Sequence, residues 1–137
     1  MAVESALAEI ELFSELSKQD RRRMASLMTP LRIEEGRVLT REGSQGREFM
    51  IISEGSATVS RGGREVARLG PGDFFGELSL VAGIPRTATV TADSEMVVNA
   101  LNRREFAAML DQSPVLANKI LAGAVHRLAG LEDSVVR

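Results

Sequence analysis

The sequence predicts a mainly β fold with helices at both ends. Three observations support this prediction. The length of 137 residues suits one domain. Glycines recur through residues 31–101 at intervals that suit tight turns between short strands. Helical patterns of apolar residues occur before and after that region. We expect N-terminal helices over 1–29, an antiparallel barrel or jelly roll over 30–101 and two C-terminal helices over 102–137.

The N-terminal region contains signals for two helices. Residues 4–16 carry an apolar stripe at helical spacing, which predicts a first helix. The stripe consists of Leu7, Ile10, Phe13 and Leu16 or Leu12. Ser17 is a typical N-cap for a second helix over 18–28, with Asp20 in its first turn. Pro30 is expected to end that helix.

The central region reads as at least six short strands. Strands are predicted over 49–52 and 57–60. Gly62 and Gly63 predict a hairpin turn, because both can adopt positive φ. Two further strands are expected over 87–92 and 95–101, which are rich in β-branched and apolar residues. Strands this short and this closely spaced are typical of antiparallel sheets.

Two helices are expected after the strands. Asn102 is a candidate N-cap for a helix over 103–111, with Glu105 placed to complete a capping box. Pro114, after Ser113, is expected to open the last helix. That helix carries an apolar stripe of Leu121, Val125, Leu128, Leu131 and Val135, with Ala124 alongside. The stripe has two interpretations: packing against the barrel, or the seam of a homodimer.

Composition excludes several classes of function. Seventeen basic and nineteen acidic residues give a net charge of −2, which offers no general attraction for nucleic acid or an anionic membrane. No cysteine is present, and His126 is the single histidine, so thiolate chemistry and multi-histidine metal sites such as those of cupins are disfavoured. No apolar run is long enough to span a bilayer, and no secretory signal is evident. We therefore expect a cytoplasmic protein that is not an enzyme and has no bound metal or cofactor.

Residues 71–90 carry the most specific chemical signal. Gly76 precedes a short predicted helix, and a glycine there lets a ligand approach the backbone closely. Arg86 follows nine residues after Glu77, behind a turn that can fold it back over the same place. A guanidinium beside free N–H groups suits a phosphate, whereas a carboxylate suits a neutral donor such as a sugar hydroxyl. The alternative is a buried structural ion pair between Glu77 and Arg86.

This segment resembles the phosphate-binding cassette of the cyclic nucleotide-binding domain family. The resemblance is concentrated in FGELSLVAGIPRTATV, residues 75–90, and extends more weakly to LTREGSQGREFMIISEG, residues 39–55. It implies an antiparallel β-roll, like a jelly roll or double-stranded β-helix, with the flanking helices that the sequence predicts. It also implies roles for individual residues. Those implied to hold the cyclic phosphate are Gly76, Leu78, Ser79, Arg86, Thr87 and Ala88.

The same resemblance implies that Glu77 accepts the ribose 2′-hydroxyl and that the last helix folds over the base. His126, Arg127 and Leu131 are the candidates for this lid. Thr87 is compatible with either adenine or guanine, so the base remains open; we favour cAMP over cGMP. The function implied is a cyclic nucleotide receptor in which the ligand draws the C-terminal helices toward the β-roll.

Several alternatives remain at this stage. The β-roll could be an interaction or dimerisation module that no longer binds nucleotide. It could instead be the regulatory fragment of a larger transcription factor, channel or enzyme. No DNA-binding helix follows Leu131 in this sequence, so we expect no nucleic acid to bind to this chain alone. The sequence identifies no effector.

Overall fold

Two four-stranded antiparallel sheets form the centre of the computed structural model, which describes residues 11–136 and the side chains of 12–130. The strands are β1 Thr29–Ile33, β2 Val38–Thr40, β3 Glu48–Glu54, β4 Ala57–Arg61, β5 Arg64–Leu69, β6 Phe74–Phe75, β7 Thr89–Ala92 and β8 Met96–Asn102. One sheet has the order β1-β8-β3-β6 and the other the order β2-β7-β4-β5. The prediction of an antiparallel fold with at least six strands is confirmed.

Strand β3 separates the two hydrophobic clusters of the molecule. Successive side chains of a strand point to opposite faces. Phe49 and Ile51 pack with the helices, whereas Met50 and Ile52 pack into the interior between the sheets. All four are buried, so the middle of the strand is apolar on both faces rather than alternating. The helices therefore lie against the outer face of this sheet.

The hairpin prediction is confirmed. Gly62 and Gly63 connect β4 and β5 with φ values of 61° and 79°. Residues with side chains rarely adopt this region, which explains the glycine pair. This hairpin contributes one wall of the cavity described below.

The helices are α1 Lys18–Leu27, α2 Glu77–Ala82, α3 Arg103–Gln112 and α4 Pro114–Val136. The Ser17 cap is confirmed, since its hydroxyl accepts a hydrogen bond from the backbone N–H of Asp20 at 3.1 Å. Helix α1 ends before the position predicted: Met28 is already extended, and Pro30 lies inside the edge strand β1. An edge strand tolerates proline because one of its sides has no pairing strand.

The predicted first helix over 4–16 is wrong in its described part. Glu11–Phe13 form a 3₁₀ turn, and the N–H of Leu16 donates to the carbonyl of Phe13 at 3.1 Å. Ser17 has the extended conformation of an N-cap, which stops a helix continuing into α1. Leu12, Phe13 and Leu16 are nevertheless buried among the helices, as their apolar character suggests. Leu7 and Ile10 lie outside the described residues.

The C-terminal helices follow the predicted order. Asn102 and Glu105 form the capping box at the start of α3, with both hydrogen bonds at 2.8 Å. Helix α4 begins at Pro114, directly after Ser113, whose hydroxyl accepts from the N–H of Leu116 at 3.2 Å. Ser113 thus caps the last helix.

The face of α4 that packs against the molecule differs from the predicted stripe. Leu116, Ile120 and Ala124 are buried, whereas Leu121 and Val125 are 44% and 66% exposed. One residue along an α-helix rotates the side chain by about 100°, so residues 121 and 125 face away from the surface that 120 and 124 contact. The packing interpretation of the stripe is therefore wrong at these positions. The side chains of Leu131 and Val135 lie outside the described residues.

Candidate functional site

Gly76 positions the start of helix α2 through a backbone conformation that side chains disfavour. It is the N-cap of α2 with a φ of 98°. A Cβ at this position would lie 2.4 Å from the carbonyl oxygen of Glu48 and 2.7 Å from Nη1 of Arg86. The chain therefore needs glycine here both for the positive φ and for the close approach of β3. This approach brings Glu77 and Arg86 to the same end of the β-roll.

Arg86 holds the loop before α2 against strand β3. Its Nη1 donates to the carbonyl of Gly76 at 3.2 Å, and its Nη2 donates to the carbonyl of Glu48 at 2.8 Å. Burial lowers the pKa of this guanidinium, while the nearby carboxylates of Glu48 and Glu77 act in the opposite direction. An arginine remains charged at neutral pH. Arg86 is therefore a half-buried cation with a fixed orientation.

Gly46 is a supporting residue that the sequence analysis did not single out. A Cβ on this glycine would lie 2.4 Å from Cβ of Ser79 and 2.8 Å from Nε of Arg86. The loop that contains Gly46 also holds the backbone of Arg86. The N–H of Arg86 donates to the carbonyl of Ser44, and the carbonyl of Arg86 accepts from the N–H of Gly43, both at 2.8 Å. Gly46 belongs to the weaker similarity over 39–55, but sequence spacing does not predict this contact.

Glu77 is a fully buried carboxylate that is paired with the last helix. Nη1 of Arg127 donates to Oε1 of Glu77 in a short hydrogen bond. Nη2 of Arg127 donates to the carbonyl of Phe74 at 2.8 Å. Oε2 of Glu77 is the one buried side-chain oxygen or nitrogen, among the described residues, without a hydrogen-bond partner. The alternative of a direct Glu77–Arg86 ion pair is wrong, because Glu77 pairs with Arg127 and Arg86 donates to the two carbonyls.

A cavity of about 360 Å³ brings the predicted residues together. Its lining includes every residue implied for the phosphate and sugar: Gly76, Glu77, Leu78, Ser79, Arg86, Thr87 and Ala88. The lid candidates His126 and Arg127 also line it, as does Gly130. The side chain of the third candidate, Leu131, lies outside the described residues. Arg127 contacts the carboxylate of Glu77, an interaction that the lid prediction did not include.

The far wall of the cavity was not predicted from the sequence. Strands β4 and β5 contribute an apolar surface made of Val59, Val66, Ala67 and Leu69. Arg61, at the end of β4, also lines the cavity, and its Nε donates to the carbonyl of Thr87 at 3.1 Å. A volume of a few hundred Å³ with apolar walls and a few convergent polar groups is typical of small-molecule sites. The arrangement can hold an anion at Arg86 and a hydroxyl donor at Glu77.

The described residues contain neither a candidate metal cluster nor a candidate membrane-spanning helix. No group of three or more histidine, aspartate or glutamate side chains in that part of the chain is placed to hold a metal ion. None of the described helices combines the length and the hydropathy needed to cross a membrane.

Comparisons with known proteins identify the family of this chain. The family model for the cyclic nucleotide-binding domain matches residues 30–113. The cAMP-dependent protein kinase regulatory subunit of Debaryomyces hansenii is 35% identical over 108 residues, which cover 78% of this chain and 24% of that protein. A cyclic nucleotide-gated potassium channel of Rhizobium etli is 33% identical over 124 residues, covering 90% of this chain and 35% of the channel. The chain thus spans about a quarter to a third of these relatives' lengths.

Solved structures show the same fold. The cAMP-bound structure of PfPKA-R has a TM-score of 0.84 and 26% identity, and the match covers 96% of this chain and 45% of that one. The regulatory subunit of a cAMP-independent protein kinase A from Trypanosoma brucei has a TM-score of 0.77 and 26% identity, covering 93% of this chain and 49% of that one. These neighbours share the antiparallel β-roll with flanking helices. The chain therefore belongs to the cyclic nucleotide-binding domain family.

Proposed function

We propose that this chain is a receptor domain that binds cAMP in the cavity between Arg86 and Glu77. The observation that carries the proposal is a half-buried cation, Arg86, and a buried carboxylate oxygen of Glu77 without a partner, both on one cavity. A cyclic nucleotide has a phosphate charge for the first and a ribose 2′-hydroxyl for the second. Burying an unpaired polar atom has a cost, which such a hydroxyl would relieve.

The phosphate contacts are assigned to Arg86 and to backbone N–H groups at two places. These lie at the start of α2, at Gly76, Leu78 and Ser79, and at Thr87 and Ala88. Arg86 supplies a charge-assisted interaction, and two of its five N–H donors are already used to fix its orientation. A guanidinium that is oriented before the ligand arrives loses little entropy on binding. The role of Thr87 is compatible with either purine base.

The choice of cAMP over cGMP draws on the names of similar proteins. The kinase regulatory subunit that matches is described as cAMP-dependent, and PfPKA-R was solved with cAMP bound. The apolar wall of β4 and β5 suits a purine ring of either kind, and His126 and Arg127 line the same cavity. We therefore place cAMP first and retain cGMP as the competing ligand.

The function is proposed to be regulatory rather than enzymatic. Ligand binding would stabilise one position of α3 and α4 relative to the β-roll, and its differential affinity for the two positions limits the effect. The domain boundaries are proposed as an N-terminal region to residue 28, the β-roll over 29–102 and the C-terminal helices beyond. The effector belongs to whichever larger assembly the domain serves. A cytoplasmic location is compatible with a sequence without cysteine.

Calorimetric titration of the purified chain with cAMP and with cGMP tests the proposal. Saturable binding of cAMP, tighter than that of cGMP, is the expected result. Binding of neither by a folded chain would contradict it. That outcome would favour an interaction module without nucleotide binding.

Replacement of Glu77 by glutamine or alanine should weaken binding of cAMP and leave 2′-deoxy-cAMP almost unaffected. A hydrogen bond to a charged group contributes about 1.5–3 kcal/mol, which corresponds to roughly ten- to a hundredfold in affinity. The deoxy analogue lacks the hydroxyl and so has nothing to lose. Titration of each variant with both ligands makes the measurement. Equal losses for the two ligands would remove the sugar role from Glu77.

A homodimer through α4 is a further proposal from the exposed apolar residues. Leu121 and Val125 face away from the rest of the molecule at a spacing that suits helix pairing. Val125→Asp should shift a dimer to monomer in sedimentation velocity, because a charge in an apolar seam is costly. Ala107→Asp, at an exposed position on α3, provides the comparison, because it adds the same charge outside α4. A wild-type chain that sediments as a monomer at high concentration would contradict this proposal.

A further inference from the structure

Arg127 is held by three contacts at the edge of the cavity. Its guanidinium donates to Oε1 of Glu77 and to the carbonyl of Phe74, the latter at 2.8 Å. It also lies over the ring of Phe74, 5.2 Å from the ring centroid, in the arrangement of a cation–π contact. The ring of Phe74 packs in turn on Phe49, with 5.5 Å between centroids. The arginine is thus attached to β6 and through it to β3.

The two oxygens of the Glu77 carboxylate differ in their hydrogen bonding because Arg127 contacts only one of them. Oε1 accepts from Arg127, whereas Oε2 is buried and has no partner among the described residues. The carboxylate side chain is completely buried, and the guanidinium is 37% exposed. A buried charge needs a partner of opposite sign, and a planar guanidinium also sets the orientation of a carboxylate that it contacts.

We propose that Arg127 is a positioning residue that makes the site selective for a ribonucleotide. By occupying Oε1 and neutralising the carboxylate, it leaves Oε2 as the acceptor for the 2′-hydroxyl. The inference rests on the proposed function, because it assigns a second residue to sugar recognition. The sequence analysis placed Arg127 near the base, whereas its contacts place it on the sugar side of the site.

The opposite model is competition, in which Arg127 blocks Glu77 until the sugar displaces it. Two observations favour positioning. Arg127 uses one carboxylate oxygen and leaves the other unpartnered. Its other two contacts, with the carbonyl and ring of Phe74, do not involve Glu77 and would hold it in place when a ligand binds. The two models predict opposite effects of removing the guanidinium.

If Arg127 positions Glu77, this one carboxylate both recognises the sugar and anchors helix α4 to the β-roll. A hydroxyl on Oε2 satisfies the last unpaired atom of the Glu77–Arg127 pair. The ribonucleotide then stabilises the docked position of α4, and the deoxy analogue does so less. Gly123, one turn earlier, also faces Phe74, and a Cβ there would be in ordinary van der Waals contact with the ring at 3.5 Å.

The test measures dissociation constants of cAMP and 2′-deoxy-cAMP for the wild-type chain and for Arg127→Gln and Arg127→Lys. Arg104→Gln is the matched control, because Arg104 is exposed on α3 and does not line the cavity. The wild-type chain should prefer cAMP by about tenfold or more. In Arg127→Gln this ratio should fall toward one, mainly through weaker cAMP binding. Arg127→Lys keeps the charge but not the planar fork, so its ratio should be intermediate.

Three results would overturn the inference. Equal weakening of both ligands would show a purely structural role for Arg127, and tighter cAMP binding would show competition. Unchanged affinities for both ligands would show that Glu77 needs no positioning. Thermal melts monitored by circular dichroism establish that each variant is folded, and Arg127→Lys provides the comparison if the glutamine variant is not. Failure of the wild-type chain to bind either ligand would contradict the proposed function itself, a distinct outcome.

Discussion

Replacing Arg86 with alanine is expected to weaken cAMP binding by about 2–5 kcal/mol, because it leaves the buried phosphate charge without its cation. The same substitution removes the hydrogen bonds to the carbonyls of Gly76 and Glu48, which hold the loop before α2 against β3. Binding should therefore suffer both directly and through the geometry of the loop. Calorimetric titration with cAMP gives the change in affinity.

Arg86→Lys separates these two contributions. Lysine keeps the positive charge but cannot reproduce the planar fork that contacts two carbonyls at once. It should bind cAMP more weakly than the wild-type chain and more tightly than the alanine variant. The free energy of unfolding of each variant, from urea denaturation, measures the structural part. An alanine variant that binds like the wild-type chain would show that the phosphate lies elsewhere.

Gly76→Ala is expected to lower the free energy of unfolding by about 2–5 kcal/mol and to abolish nucleotide binding at ordinary ligand concentrations. Part of this cost is the positive φ of 98°, which a residue with a Cβ resists. The rest is crowding, because the added Cβ would lie 2.4 Å from the carbonyl oxygen of Glu48. The backbone must move to relieve it, and this shifts the start of α2 away from Arg86.

Gly72→Ala is the matched control for this substitution. Gly72 has a similar φ of 92°, yet nothing lies within 4 Å of the position that its Cβ would occupy. Its substitution should therefore cost only the backbone strain, about 1–2 kcal/mol, and should preserve binding. Urea denaturation and cAMP titration of both variants make the comparison. Equal losses of stability and retained binding in both would show that the close approach of Gly76 to β3 has no functional importance.

The meeting of the predicted residues in one cavity was largely predictable, because the central ones are close in sequence. Gly76, Glu77 and Arg86 lie within eleven residues, and their types alone indicated an anion and a hydroxyl donor. The caps at Ser17 and Asn102 were predictable for the same reason, since each acts on a backbone N–H three residues away. The Gly62–Gly63 hairpin is equally local.

The contacts that complete the site were not predictable. Arg127 reaches Glu77 across 50 positions of the chain, and Arg86 reaches the carbonyl of Glu48 across 38. Gly46 contacts the site only because its loop folds over Ser79 and Arg86. Periodicity and residue type contain no information on which distant segment will lie against a given side chain. The lid prediction did depend on which distant segments come together. It named Arg127 but not the contact of Arg127 with Glu77.

Helix α4 shows most clearly which features follow from the sequence and which depend on the tertiary structure. The sequence by itself determined that a long helix follows Pro114 and that it carries apolar residues on more than one face. Only the tertiary structure decided that Leu116, Ile120 and Ala124 are buried while Leu121 and Val125 are exposed. Both sets have helical spacing, so hydrophobicity along the chain cannot choose between them. The choice follows from the direction in which the helix leaves Ser113 and from the anchoring of Arg127 to Glu77 and Phe74, which depend on surfaces distant in sequence.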